Sequence, residues 1–330
     1  RAVLAPRRRM SEACSAAAAD GNNPALMLGA ALGELTLAKR DKVTFLCSPS
    51  LAAFPSWAEQ LIAESTGKDR KGIVPVANES PSAPEKYGAD RCFVYLRLAG
   101  EQNHDLDRLV AALEANGHPA LRIDLNDKDD LGQEFFRWEA AVAAAGAVIG
   151  IHPFNQPDVQ LAKDLAKQAM SERGGKAARK PKEEVESADP QALRQAVDSW
   201  LGKKKARDYV AVQAYINPSQ ENTAELRGIC AALQGRLDAA TTLGFGPRFL
   251  HSTGQLHKGG PNSALVLQIV DQPSDHLAVP ETNYTFDALI LAQALGDLAA
   301  LKQRRRRVLR VNLGNDTPGG LRNLLDALEK

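Results

Sequence analysis

The succession of apolar runs and helical stretches predicts an α/β fold. Its main part is a doubly wound, mainly parallel sheet in three layers, α/β/α, joined to a second, smaller α/β unit. Three observations predict it. Short runs rich in Val, Ile and Leu alternate with longer alanine- and leucine-rich stretches, the pattern of strands and crossover helices. Turn signals built from Gly, Pro, Ser and Asn separate the two kinds of run. A charged stretch, SERGGKAARKPKEEVESADP at 171–190, interrupts the alternation and divides the chain, because its composition cannot bury apolar area.

Taken in order, residues 24–39 read as a helix and KVTFLCS at 42–48 as a short buried strand. A helix over 55–66 ends at the break signalled by Gly67, and GIVPV at 72–76 is the next strand. After a Pro- and Ser-rich loop at 78–87 comes a strand, CFVYLRL at 92–98, then a helix over 105–116. Gly117 closes that helix, as glycine commonly does, and ALRIDL at 120–125 follows as a strand. A long helix over 130–145 leads into AVIGI at 147–151, read as the end of a buried strand. Phe154-Asn155-Gln156-Pro157 then turns the chain into a helix carrying Gln160 and Lys163. Beyond the charged stretch, strands are expected at 209–216, 264–270 and 308–313, and helices at 220–237, 286–303 and 318–328. The domain reading is therefore 1–170 as the main α/β domain, 171–205 as a charged linker, and 206–330 as the second unit.

Composition narrows the function. The chain has 330 residues, is 44% hydrophobic, and carries a formal net charge of +1, so no overall field draws it to nucleic acid or a membrane surface. The basic runs Arg7-Arg8-Arg9, Lys203-Lys204-Lys205 and Arg304 to Arg307 lie beside acidic stretches and read as solvated faces. No apolar run approaches a membrane span, and Ala16 to Ala19 is too short for a signal peptide. Cys14, Cys47, Cys92 and Cys230 are widely spaced, with no C-x-x-C pair, which is the usage of a reducing cytoplasm. His251 and His257 lack a third partner at metal-ligand spacing, so neither a metal nor another cofactor is expected.

Two segments carry chemistry. In EQLIAESTGK at 59–68, Gln60 and Glu64 stand four residues apart and share one side of a helix. In FNQPDVQLAK at 154–163, Gln156 and Lys163 bracket the start of a helix. A carboxylate and an ammonium group on helices beside loops suit proton transfer on a small anionic substrate. Taken singly, Glu64 reads equally as a solvated helix carboxylate and Lys163 as a surface lysine. A third segment, HSTGQLHKGGPN at 251–262, sets His251 and Lys258 among glycines whose backbone N–H groups could cradle a phosphate, though a hairpin loop fits it as well.

ESTGK resembles the ESNGK segment of phosphoglucose isomerases, whose glutamate is the enediol base with a glutamine four residues before it. FNQPDVQLAK is similar to the same family's FDQ-x-G-V-E-x-x-K signature: Phe154, Gln156, Val159 and Lys163 agree, while Asn155, Asp158 and Gln160 depart from it. The stretches at 23–46, 246–269 and 284–301 resemble the isomerase half of bifunctional transaldolase/phosphoglucose isomerase proteins. That resemblance implies a sugar-isomerase-type fold. It further implies that a transaldolase barrel and the first sugar-phosphate-binding half of the isomerase precede this region. The chain opens at Arg1 and holds neither a GGR[FY]S segment nor a Ser/Thr-rich phosphate loop, so it is expected to be a C-terminal part of a longer polypeptide.

The function the resemblance implies is interconversion of glucose 6-phosphate and fructose 6-phosphate in the cytoplasm. Glu64 would be the base and Lys163 would assist ring opening or stabilise charge on oxygen. Gln60, Gln156, His251 and Lys258 would bind or orient the sugar phosphate. The family also uses a histidine in ring opening. His104 lies near the matching place in poorly matching surroundings, and His251 or His257 are alternatives. The expected partners are the sugar phosphate and the missing N-terminal half, and association with further copies of the chain is left open. Rival readings are a non-catalytic sugar-phosphate-binding module and an inactive fragment; a nucleotide-binding oxidoreductase is disfavoured, since no G-x-G-x-x-G follows a strand.

Overall fold

A computed structural model describes residues 4–15, 22–77, 79–157, 164–165 and 181–329. The chain divides into two compact units, residues 1–156 and 157–330. Each holds a wholly parallel sheet with helices, so the α/β class read from the sequence is the one observed.

In the first unit the strands are β1 (Lys42–Cys47), β2 (Val74–Val76), β3 (Arg91–Leu98) and β4 (Ala120–Leu125), in the order β2-β1-β3-β4. β1 and β3 are buried along almost their whole length, as parallel strands covered on both faces must be. The helices are α1 (Leu4–Ala13), α2 (Pro24–Leu37), α3 (Phe54–Thr66), α4 (His104–Ala115) and α5 (Leu131–Ile149). α2, α3 and α5 bury Leu32, Ile62 and Trp138 against one face of the sheet, onto Val43, Phe45, Val94 and Leu96. α4 buries Val110 and Leu113 on the other face, against Phe93 and Tyr95. That alternation along β1 and β3 makes the sheet doubly wound.

α2 starts where it does because Asn23 accepts hydrogen bonds from the Ala25 and Leu26 amides and Pro24 occupies the first turn. It lies close on α5 through Gly29: a Cβ there would stand 2.4 Å from the Ala141 carbonyl oxygen. The strand expected at 147–151 is absent. α5 runs on to Ile149 and closes at Gly150, whose φ of 68° is left-handed. The reason is periodic: Trp138, Ala141, Val142, Ala145 and Ile149 are buried at helical spacing, and alanine hides that period in the sequence.

The second unit holds β5 (Glu184–Glu186), α6 (Pro190–Leu201), β6 (Tyr209–Tyr215), α7 (Gln220–Leu237), β7 (Thr241–Phe245), α8 (Gly254–Gly259), β8 (Ala264–Val270), α9 (Phe286–Gln303), β9 (Arg307–Asn312) and α10 (Thr317–Glu329). Its strand order is β5-β9-β8-β6-β7. Residues 184–201 therefore belong to the fold rather than to a linker. Asp189 caps α6 through the Ala192 amide, and Leu193, Val197, Trp200 and Leu201 bury its inner face. The flanking lysines and glutamates mask this short amphipathic pattern. With β5 and β7 beside the three strands expected from the sequence, the second unit holds five strands among the described residues against four in the first, where a smaller unit is expected.

Candidate active site

The site is built wholly within the first unit, where α3 ends. Gly67 terminates α3, its amide donating to the Ala63 carbonyl, and Thr66 ties the end down by donating to Ile62 O and accepting from the Ile73 amide. Glu64 thus sits half-buried in the last turn, with Gln60 exposed one turn before it. Burial pushes the Glu64 carboxyl up from its ordinary range; hydrogen bonds from Gln60 and Gln156 and the charge of Lys68 pull it back.

Gln156 arrives from the turn after α5. Its Nε2 donates to Glu64 Oε2 at 3.2 Å, joining residues 92 apart in sequence. The turn is held to the α3 end by two lysines. Lys68, 1% exposed, donates to the Asn155 carbonyl and, at 3.2 Å, to Asn155 Oδ1. Lys71 donates to the carbonyls of Ile149 at 2.9 Å and Gly150 at 3.1 Å, the open end of α5. The result is a part-buried carboxylate contacted by two neutral amides and under the influence of one ammonium. Such a carboxylate can take a proton from one atom and return it to another.

Gln60 and Glu64 share one side of α3, as their four-residue spacing predicts, and the Gln156 side chain reaches the same carboxylate. Lys163 and Gln160 lie outside the described residues. Sequence reasoning passed over Lys68 and Asn155, although Lys68 stands four residues after Glu64 and closes the same motif.

His251 and Lys258 belong to the second unit. His251 ends a short 3-10 turn and is exposed. The segment after it is not an open glycine loop. α8 is buried throughout, and Lys258 Nζ pairs with Asp297 Oδ1 at 2.8 Å, the side chains being 1% and 0% exposed. That ammonium is already neutralised, which removes it as a free phosphate ligand. His257, also buried, lies 2.9 Å from Gln213 Nε2 through its Nδ1. Burial, then the charges of Lys258 and Arg306, lower its pKa to about 3, so it is neutral at physiological pH. His104 opens α4 as an exposed residue.

Among the described residues no group of three or more His, Cys, Asp and Glu could hold a metal ion, and no helix is long and apolar enough to cross a membrane. All four cysteines are free thiols.

No protein-family model matches the chain. It is similar to proteins named glucose-6-phosphate isomerase, as the motifs suggest. It is 26% identical over 211 residues to that of Leptospira biflexa, covering 53% of this chain and 46% of the relative. A probable glucose-6-phosphate isomerase of Halobacterium salinarum is 29% identical over 153 residues, 36% of each chain. The isomerase of Lactobacillus helveticus is 30% identical over 148 residues, 34% of this chain and 33% of the relative. The matched region thus spans about half the length of these relatives at most.

Proposed function

We propose that this chain carries the acid–base part of an aldose–ketose isomerase site acting on glucose 6-phosphate and fructose 6-phosphate. The observation that carries the reading is the Glu64 carboxylate, half-buried and hydrogen-bonded by Gln156 of the second motif. In this reading the sugar ring opens first. Glu64 then removes the C1 proton of the open-chain ketose, and the electrons move through C1–C2 onto the carbonyl oxygen, giving a cis-enediol once that oxygen is protonated. Return of the proton to C2 and loss of the O1 proton complete the aldose. Such acid–base help contributes roughly 10²–10⁴-fold in rate. Lys163 serves ring opening or steadies charge on oxygen, Gln60 orients Glu64, and Gln156 also reaches the substrate near its phosphate.

The match to between a third and a half of each relative fits a chain that works as part of a longer polypeptide, with the remaining phosphate donors supplied from outside the residues here. The transaldolase fusion of that polypeptide rests on the resemblance of residues 23–46, 246–269 and 284–301. The four free thiols agree with a cytoplasmic setting. The test is a coupled isomerase assay of the full-length protein with fructose 6-phosphate, alongside calorimetry with 6-phosphogluconate. Turnover supports the reading. Binding without turnover assigns a non-catalytic sugar-phosphate-binding module instead.

A further inference from the structure

The turn that brings Gln156 to Glu64 has little of its own to hold it. His152, Phe154, Asn155, Gln156 and Pro157 are all exposed, Phe154 at 79%, while Pro153 lies against Gly146 of α5. A buried cation holds the part of the turn next to Gln156. The Lys68 ammonium reaches the residue just before Gln156 and binds both oxygens that Asn155 offers, backbone and side chain. A lysine with 1% exposure has left bulk water, and in exchange it takes acceptors with strong, charge-assisted geometry. Lys68 also follows Glu64 by four residues in the segment leaving α3, so one short piece of chain carries both the carboxylate and the clamp.

We propose that Lys68 is a positioning residue of the Glu64 site: by gripping Asn155 it sets the 154–156 turn so that the Gln156 amide meets the carboxylate. The grip couples two effects on Glu64. Lys68 acts on the carboxylate directly through its charge and indirectly by delivering the Gln156 hydrogen bond, and both favour the ionised form against the burial that opposes it. A proton-transfer base must be ionised to begin work, and both effects of the clamp act in that direction. Among the described residues Lys68 is the charged group that bears on Glu64; Gln60 from α3 and Gln156 from the turn are its neutral partners. Lys71, the next cation, is engaged with the α5 carbonyls instead.

The proposal draws its catalytic meaning from the isomerase reading, but its test does not. Glu64 is followed by carbon-13 NMR of glutamate-labelled full chain, its carboxyl signal assigned by loss in Glu64→Gln. Lys68→Met should raise the Glu64 titration midpoint and shift the Gln156 side-chain amide signals. Asn155→Ala, an exposed substitution that removes the side-chain acceptor and leaves the core untouched, should move both signals the same way by less. An unchanged Glu64 midpoint and Gln156 amide in folded Lys68→Met overturns the proposal; if that variant does not fold, unchanged signals in Asn155→Ala overturn it. Absence of isomerase activity would sink the functional reading and leave this result standing.

Discussion

Gln156 and Glu64, 92 residues apart, meet in a 3.2 Å hydrogen bond between a turn and the last turn of a helix. Glu64 rides on α3, which packs into the core through Ile62, whereas Gln156 lies on an exposed turn. Glu64 is fixed because Thr66 and Gly67 end α3 in a tied-down cap, and Gln156 because Lys68 and Lys71 anchor the chain that leads to it. Fixing the partners before substrate arrives is what makes proximity effective in catalysis.

Glu134 gives the first unit a pH dependence of its own. It lies fully buried on α5, 3.3 Å from Arg137, and burial raises its pKa to about 7. A carboxyl whose folded pKa exceeds its unfolded value stabilises the fold below the unfolded pKa, and that contribution is lost as pH rises through the folded one. Stability should therefore fall by up to about 3 kcal/mol between pH 4.5 and pH 8. Glu134→Gln should flatten that slope. Urea unfolding at a series of pH values checks it, and an equally steep slope in the variant would show that Glu134 is not its source.

Two glycines should respond to alanine with opposite signs. In an open helix Gly→Ala stabilises by about 1 kcal/mol. Gly235 on α7 has nothing within 4 Å of an added Cβ and should gain up to that amount. At Gly29 the added methyl would stand 2.4 Å from Ala141 O and 2.6 Å from Ala144 Cβ, both on α5. Overpacking of this kind costs about 1–3 kcal/mol and outweighs the helical gain. Thermal unfolding of the two variants should show opposite shifts.

Lys258→Met should unfold the second unit at lower denaturant. It leaves Asp297, 0% exposed, as an uncompensated charge, and breaking such a pair costs about 3–5 kcal/mol. Replacing both members, Lys258→Met with Asp297→Leu, should recover most of the loss, because neither member then leaves an unpaired buried charge. A double variant as unstable as the single one would contradict this account of the pair.

Much of this architecture is legible in the residues. Strands β4 and β8 and helices α7 and α9 fall at their expected bounds, because their apolar runs are long and clearly flanked by turn signals. Elements were lost where composition disguises period: alanine along the end of α5, and lysine and glutamate around β5 and α6. At the site, the Gln60–Glu64 spacing follows from helix geometry alone. Gln156 could be tied to Glu64 only through resemblance to a family, since a contact across 92 residues leaves no local mark. Lys258 shows the reverse. A lysine among glycines looks like a phosphate ligand until the tertiary fold supplies Asp297.

The role of Glu64 as base is most directly tested by solvent isotope incorporation. Fructose 6-phosphate incubated in deuterium oxide with the full-length protein should yield glucose 6-phosphate labelled at C2, as the base exchanges its proton with solvent at the enediol stage. Glu64→Gln is nearly isosteric, retains a hydrogen-bonding side chain for Gln156, and cannot take up the proton. Labelling should fall at least about a hundredfold in that variant while affinity for 6-phosphogluconate stays within about threefold. Labelling by Glu64→Gln at close to the wild-type rate would contradict the account, because the proton would then be carried by another group.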